Sequence, residues 1–209
     1  MAKIADEGYP YIVGLAVITA FTYITGKPWM ASLPLLLTLF MVFFFRDPER
    51  EIPDKADLFV SPADGKIIVI KDIFEKDYLK ADTKQISIFM SPLNVHVNRA
   101  PCDGIVKSVK HTPGGFKAAY TDEAAITNEN IAMVIEGKYG SILVRQIAGY
   151  LARRAVCRVK TGDNLKRGER YGIIKFSSRL DVYLPKETDI KVKLGDRVKA
   201  GETIIGVIK

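Results

Sequence analysis

The sequence predicts a mainly β domain behind an N-terminal hydrophobic helical hairpin. Three observations carry that expectation. Two apolar stretches come first, short β-branched runs replace them abruptly, and one motif occurs twice near the C-terminus. With 209 residues, of which 48% are hydrophobic, the chain has room for an anchor and one ordinary domain with its own core.

Tyr9 to Thr25 and Pro28 to Phe45 are the apolar stretches, separated by Gly26, Lys27 and their neighbours. Each sits near the lower limit for spanning a bilayer, roughly 17–25 residues. In lipid a backbone must satisfy its own hydrogen bonds, so both are expected to be helical, as a hairpin that spans or partly re-enters. Arg46 and Arg50 follow it, which points that side, and with it Met1, toward the cytoplasm. A signal peptide fits poorly, because the n-region is nearly neutral and no Ala-x-Ala-type site follows the second stretch. The expected location is therefore the cell membrane, with the remaining domain facing the cytoplasm.

Residues 1–45 are expected to form this anchor, 46–57 a linker and 58–209 the β domain. The linker reading rests on the charged run Arg46-Asp47-Pro48-Glu49-Arg50 and on Pro53. Beyond it, strands are expected at 66–71, 85–90, 104–110, 131–135, 141–147, 155–159, 173–176, 181–184, 190–192 and 203–208. These are β-branched runs broken by Gly, Pro and Asp. Helical periodicity is weak, with one short turn expected near Phe74–Leu79.

The repeated motif is Lys160-Thr-Gly-Asp-Asn-Leu-Lys-Arg-Gly-Glu169, matched by Lys193-Leu-Gly-Asp-Arg-Val-Lys-Ala-Gly-Glu202. In each copy a Gly-Asp pair supplies a tight turn, and a second Gly releases the chain into an apolar strand. This unit resembles the β-hairpin of biotinyl/lipoyl-type barrel-sandwich hybrid domains. A cofactor carrier of that type would show a Lys at its hairpin tip in a Met-Lys-Met or Asp-Lys-Ala setting. Neither tip does, and a non-enzymatic module would not need the polar segments described next.

The net charge of +7 is spread out, with no run of five Lys/Arg and no basic, aromatic-rich motif. This argues against nucleic acid and fits a surface near anionic lipid. Cys102 and Cys157 have neither zinc nor redox spacing and read as reduced, packed thiols. No His/Cys/carboxylate cluster has metal-ligand spacing, so no metal is expected.

Three segments hold chemistry: Ser61-Pro-Ala-Asp-Gly65, Ser91-Pro-Leu-Asn-Val-His96-Val-Asn-Arg-Ala-Pro101 and Phe176-Ser177-Ser178-Arg-Leu-Asp-Val-Tyr-Leu-Pro185. Asp64, His96 and Ser178 are the candidate catalytic residues. A His whose tautomer is fixed by a carboxylate or carbonyl can activate a hydroxyl. The bland alternatives are a turn Asp-Gly, a packed His and a solvated Ser-Ser pair.

These segments resemble the short-chain phosphatidylserine decarboxylases. The resemblance begins at Phe44-Phe45-Arg46-Asp47-Pro48-Glu49-Arg50 and takes in Thr112-Pro-Gly-Gly-Phe116, Asn128-Glu129, Gln146-Ile-Ala-Gly149 and Leu151-Ala-Arg-Arg154. It is collinear over nearly all of the chain beyond the anchor. It implies a proenzyme in which Ser178 attacks the carbonyl of Ser177, elimination cuts the chain, and Ser178 becomes a covalent pyruvoyl cofactor. A β chain would end at Ser177 and an α chain would begin at the modified Ser178. Asp64 and His96 are implied to polarise the serine, with His96 also available for proton transfer in turnover. The implied substrate is phosphatidylserine or a related serine phospholipid such as archaetidylserine. The implied carbonyl chemistry takes up the serine amine and the electrons left by departing carbon dioxide. A homodimer is also implied.

Arg46, Arg99, Arg153 and Arg154 are candidate contacts for phosphate or carboxylate. The family's usual residue before the processed serine is Gly, and this chain has Ser177. A processing-deficient homologue is the alternative that this departure raises. Arg99 stands where longer members carry a second His, and His111 reads as structural or exposed.

Overall fold

The computed structural model describes residues 3–26, 28–115, 117, 121, 127–149, 154–176 and 178–208. The chain divides into two compact units, Met1–Glu49 and Arg50–Lys209.

In the first unit, β1 (Lys3–Ile4) leads to helix α1 (Tyr9–Ile24). Helix α2 (Ser32–Phe44) then leads to β2 (Arg46–Asp47). β1 and β2 pair antiparallel with Lys3 opposite Asp47, so the hairpin begins and ends at one place. Tyr11 stacks on Phe45 at 5.6 Å, and Phe44 meets Phe45 edge-on at 5.0 Å. The helices otherwise present apolar side chains outward: Val13, Val17, Phe21, Trp29, Leu33, Leu36 and Leu39 are exposed, and α1 buries none of its residues. Their hydroxyls turn inward to the helix backbone, with Thr19 donating to Leu15 O, Thr22 to Ile18 O and Thr38 to Pro34 O. At 16 and 13 residues the helices are about 24 and 20 Å long. Among the described residues, no helix is long and apolar enough to cross a membrane.

The second unit is mainly β. Its strands are β3 (Leu58–Val60), β4 (Gly65–Glu75), β5 (Ala81–Met90), β6 (Val97–Arg99), β7 (Gly104–Thr112), β8 (Asn130–Gly137) and β9 (Gly140–Ala148). They continue with β10 (Ala155–Cys157), β11 (Asn164–Leu165), β12 (Arg170–Ile174), β13 (Ser178–Pro185), β14 (Thr188–Ile190), β15 (Arg197–Val198) and β16 (Ile204–Ile208). Each run expected from β-branched content overlaps one of these strands. The short strands β3, β6, β11 and β15 lack such a run, because pairing rather than propensity makes them extended. Phe74 and Glu75 continue β4, and the residues after them form a turn. There the Glu75 carboxylate accepts the amides of Tyr78 and Leu79 at 2.8 and 2.6 Å.

A curled eight-stranded sheet runs in the order β11-β7-β8-β9-β13-β5-β4-β15, accompanied by sheets β10-β12-β6 and β14-β16-β3. One core receives Ile67, Ile88, Met133, Val144 and Leu180 from the large sheet, and Phe59, Tyr171, Ile174 and Ile205 from the small ones. Alternate residues of each strand point into it, the period-two pattern of a half-buried sheet.

The sheet order is palindromic about the β9–β13 pair because the unit is an internal duplication. β3–β5 with β13–β16 have twins in β6–β8 with β9–β12. Both long hairpins carry a bulge at the same place, between Ile67 and Val69 and between Val106 and Ser108. Asp64 Oδ1 accepts the Ala200 amide at 2.8 Å, and its twin Asp103 Oδ1 accepts the Arg167 amide at 2.8 Å. The repeated motif supplies the two tips. Gly168 and Gly201 take φ of 79° and 78°, and Ile52 packs so close to both that any Cβ there would clash with it.

Candidate active site

Ser178 opens β13, opposite Met90 at the end of β5 and Ala148 at the end of β9. Because β13 is central in the sheet, the serine is wholly buried. Its hydroxyl donates to the Met90 sulfur at 3.5 Å. A thioether is a weak acceptor, so the oxygen is held without being strongly engaged. Just upstream, Phe176 has a φ of 58°, a left-handed conformation that costs a bulky residue of order 1–3 kcal/mol. Ser177 lies outside the described residues.

His96 lies at the end of the loop that follows β5, and is wholly buried. Asn94 shapes that loop, its Oδ1 accepting from the Ser91 amide at 2.9 Å and the Ser91 hydroxyl at 2.8 Å. The His96 Nδ1 is 3.0 Å from Asn94 O. A carbonyl can only accept, so Nδ1 carries the proton and Nε2 is the basic nitrogen of the neutral ring. The His96 carbonyl accepts the Ile174 amide at 3.3 Å, which ties the loop to the end of β12, just before Ser178. The structure thus brings the His96 loop and the Ser178 strand start to one end of β5.

Asp64 is engaged differently from the expected triad. Among the described residues its carboxylate takes both oxygens to Arg50 Nη2, at 3.0 and 2.8 Å, and accepts the Ala200 amide. Its hydrogen bonds go to neither His96 nor Ser178. The twin Asp103 makes the same amide bond, so that part of the role belongs to the fold, and Arg50 is what distinguishes Asp64.

Of the candidate arginines, Arg99 is buried and donates to Gly168 O at 2.8 Å. Arg46 donates to Phe43 O at 2.7 Å and lies over the Phe43 ring. Arg154 is exposed, and Arg153 lies outside the described residues. His111 is half-exposed and pairs with Glu129 at 3.2 Å. No cluster of His, Cys, Asp or Glu suited to a metal occurs among the described residues.

The corner related to the Ser178 end of β5 by the duplication is built differently. There Gly137 pairs with Gly140, in the register where Met90 pairs with Ser178. That corner opens into a cavity of about 340 Å³ lined by Phe59, Cys102, Asp103 and Arg167 among others. Burial, reinforced by Asp103, pushes the Cys102 thiol up to about 12, so it is no nucleophile.

Asn98 and Gln146 lie within the family-like motifs, which mark neither as a candidate. Gln146 Nε2 donates to Asn98 Oδ1 at 2.8 Å, and Asn98 Nδ2 reaches the same Met90 sulfur at 3.8 Å. The signal was present in the alternation Ile142, Val144, Gln146, Ala148, where an amide interrupts a core-facing row.

Known proteins resemble this chain along nearly its whole length. Residues 37–206 match the sequence pattern of the family described as phosphatidylserine decarboxylase. The chain is 46% identical over 205 residues to the phosphatidylserine decarboxylase proenzyme of Syntrophus aciditrophicus, covering 97% of this chain and 96% of that one. It is 44% identical over 214 residues to the proenzyme of the same name from Citrifermentans bemidjiense, covering 98% of this chain and 96% of that one. The proenzyme from Desulfotalea psychrophila is 44% identical over 206 residues, with the same coverage. A match that runs through the duplicated β unit, the His96 loop and the start of β13 identifies the chain as a member of the phosphatidylserine decarboxylase family.

Proposed function

We propose that this protein decarboxylates phosphatidylserine to phosphatidylethanolamine after cutting its own backbone between Ser177 and Ser178. The observation that carries this reading is a buried serine at the start of a central strand, behind a left-handed residue and at the same end of β5 as the loop that holds His96.

The cut balances as follows. Ser178 Oγ adds to the carbonyl carbon of Ser177 while its proton passes to His96 Nε2. The C–N bond then breaks and the residue 178 nitrogen takes up a proton, leaving an ester. Loss of the Ser178 α-proton expels the Ser177 carboxylate and leaves a dehydroalanine, which adds water and releases ammonia to give a pyruvoyl group. The site fits that group: residue 178 begins β13 between Met90 and Ala148, so two neighbouring strands would hold the new chain start in place. Once formed, the group supplies the carbonyl that takes up the substrate amine and the electrons released with carbon dioxide. His96 holds a proton at Nε2 for delivery to the product carbon. Arg50 and the Ala200 amide keep Asp64 fixed at the base of β4, where it anchors the corner. After cleavage β13 remains between β5 and β9, so the two chains stay assembled.

The substrate is a membrane lipid, and the first unit suits attachment to one. Its helices are apolar all round with their hydroxyls internally bonded, yet each is shorter than the ~30 Å hydrocarbon core. We therefore assign the hairpin to partial, re-entrant insertion, with both of its ends and the catalytic unit on the cytoplasmic side. Decarboxylation occurs at the head group, so archaetidylserine is chemically equivalent at this site.

Denaturing mass spectrometry of freshly purified protein tests the proposal. The expected result is two fragments split at 177–178, the smaller one blocked and reducible by borohydride. An intact, borohydride-inert chain in an active preparation overturns it.

A further inference from the structure

The duplication provides an internal control on the outer face of the large sheet, behind Ser178. On β13 and β5, Asp181 sits opposite Ser87, counted from the corner pair Ser178 and Met90. On β9 and β8, Leu143 sits opposite Val134, counted from the corner pair Gly140 and Gly137. By the same register Arg179 is the twin of Ser141, and Gln85 the twin of Ala132. Leu143, Val134 and Ala132 form a buried apolar cluster. Their twins Asp181, Ser87 and Gln85 are buried and polar, and the buried Arg179 joins them.

These four side chains close on one another. Arg179 Nε donates to Asp181 Oδ1 at 2.6 Å, and Arg179 Nη2 to Ser87 Oγ at 2.9 Å. Gln85 Nε2 donates to Asp181 Oδ2 at 3.1 Å and to Ser87 Oγ at 3.2 Å. The other half of the fold does without such a network, and apolar residues of similar volume commonly match a buried ion pair in stability. Stability alone therefore does not call for it.

The two halves differ in what lies upstream. Gly140 follows Gly137 through a short turn and stays tethered. Residue 178 becomes the free end of a chain after self-cleavage, and free ends fray unless tied down. Opposite it, Ala148 gives its amide to Glu129 O at 2.9 Å, so β9 flanks residue 178 without offering it that donor. The next side chain along is Arg179, which reaches across to β5 through Ser87.

From this we infer that Arg179 is a positioning residue: bonded to Asp181 and Ser87, it pins the start of the α chain so that residue 178 keeps its place once its bond to residue 177 is gone. The inference rests on the self-cleavage reading and concerns the state after the cut.

The test compares whole and cut chains. The double variant Arg179→Met, Asp181→Leu removes both charges together, so neither is left buried alone. Combined with Ser178→Ala, which keeps the chain whole, it should leave the thermal midpoint within a few degrees. In the cleavable chain it should still mature, as seen by mass spectrometry. The matured protein should then lose kcat toward micellar phosphatidylserine by about 10- to 100-fold, as expected of an ångström-scale misplacement, with KM within a few-fold. Borohydride should reduce its chain end several-fold faster than in the wild type, because a loosened end admits solvent. Arg179→Lys keeps the charge without the fork that also reaches Ser87, and should fall between the two. A purely structural pair would lower the midpoint equally in whole and cut chains and leave borohydride reduction unchanged, and that result overturns the assignment. So does wild-type kcat in the matured double variant or, where that variant does not fold, in Arg179→Lys. A wild-type chain that never splits at 177–178 overturns the self-cleavage reading itself, and this assignment with it.

Discussion

The Ser178 hydroxyl and the Met90 sulfur meet at 3.5 Å, where the first residue of β13 pairs with the last residue of β5. The contact places the nucleophile by packing rather than by a strong hydrogen bond. Met90→Leu conserves volume and should cost under about 1.5 kcal/mol. The variant should fold and mature within a few-fold of the wild-type rate, measured as precursor half-life. Arrested maturation would show that the sulfur itself matters.

Ser178→Ala should leave a folded, full-length, inactive chain, because no hydroxyl remains to attack. Intact mass and a native melting curve check this. Fragments from this variant would move the nucleophile to Ser177.

Ser177→Gly should shorten the precursor half-life. Phe176 already adopts a left-handed φ of 58°, and a glycine next to it widens the dihedrals through which the carbonyl can present itself to Ser178. An unchanged half-life removes backbone strain from the account of maturation.

Arg50 and Asp64 form a buried ion pair, with side chains 8% and 12% exposed. Removing one partner of such a pair costs about 3–5 kcal/mol, because the other charge is left uncompensated. Arg50→Met should lower the thermal midpoint by about 10 °C. Asp64→Asn can keep the Ala200 bond and should lose less. A shift of a degree or two in Arg50→Met would mean that water replaces the guanidinium.

Stability should fall at alkaline pH. Burial raises the Cys102 thiol from 9.0 to about 12 and the Tyr183 phenol from 10.0 to about 12. Both stay protonated in the folded chain where the unfolded chain releases its protons, so the unfolded state binds fewer protons and stability declines as pH rises. The contribution is complete below about pH 9 and is lost toward about pH 12, at up to about 1.4 kcal/mol per pH unit per group. Urea unfolding across that range measures the slope, and Cys102→Ala should flatten it. An unchanged slope in Cys102→Ala would show that the thiol titrates alike in both states.

By itself the sequence determined the helical hairpin, the long strands and the repeated tips. These follow from local rules: apolar runs of helix length, β-branched alternation, and Gly-Asp turns whose bonds close within a few residues. Ser178 and His96 were legible as candidates, as polar residues in motifs that resemble a known family. Only the tertiary structure showed that the repeat marks a duplication of the whole β unit: Pro62-Ala-Asp-Gly65 and Pro101-Cys-Asp-Gly104 match along the chain, but pairs such as Met90 and Gly137 are related by register alone. It also bound Asp64 to Arg50 and brought Asn98 and Ser178 to the same Met90 sulfur. Such groups come together through strands far apart in sequence, and no local pattern encodes which buried polar atoms will meet across two sheets.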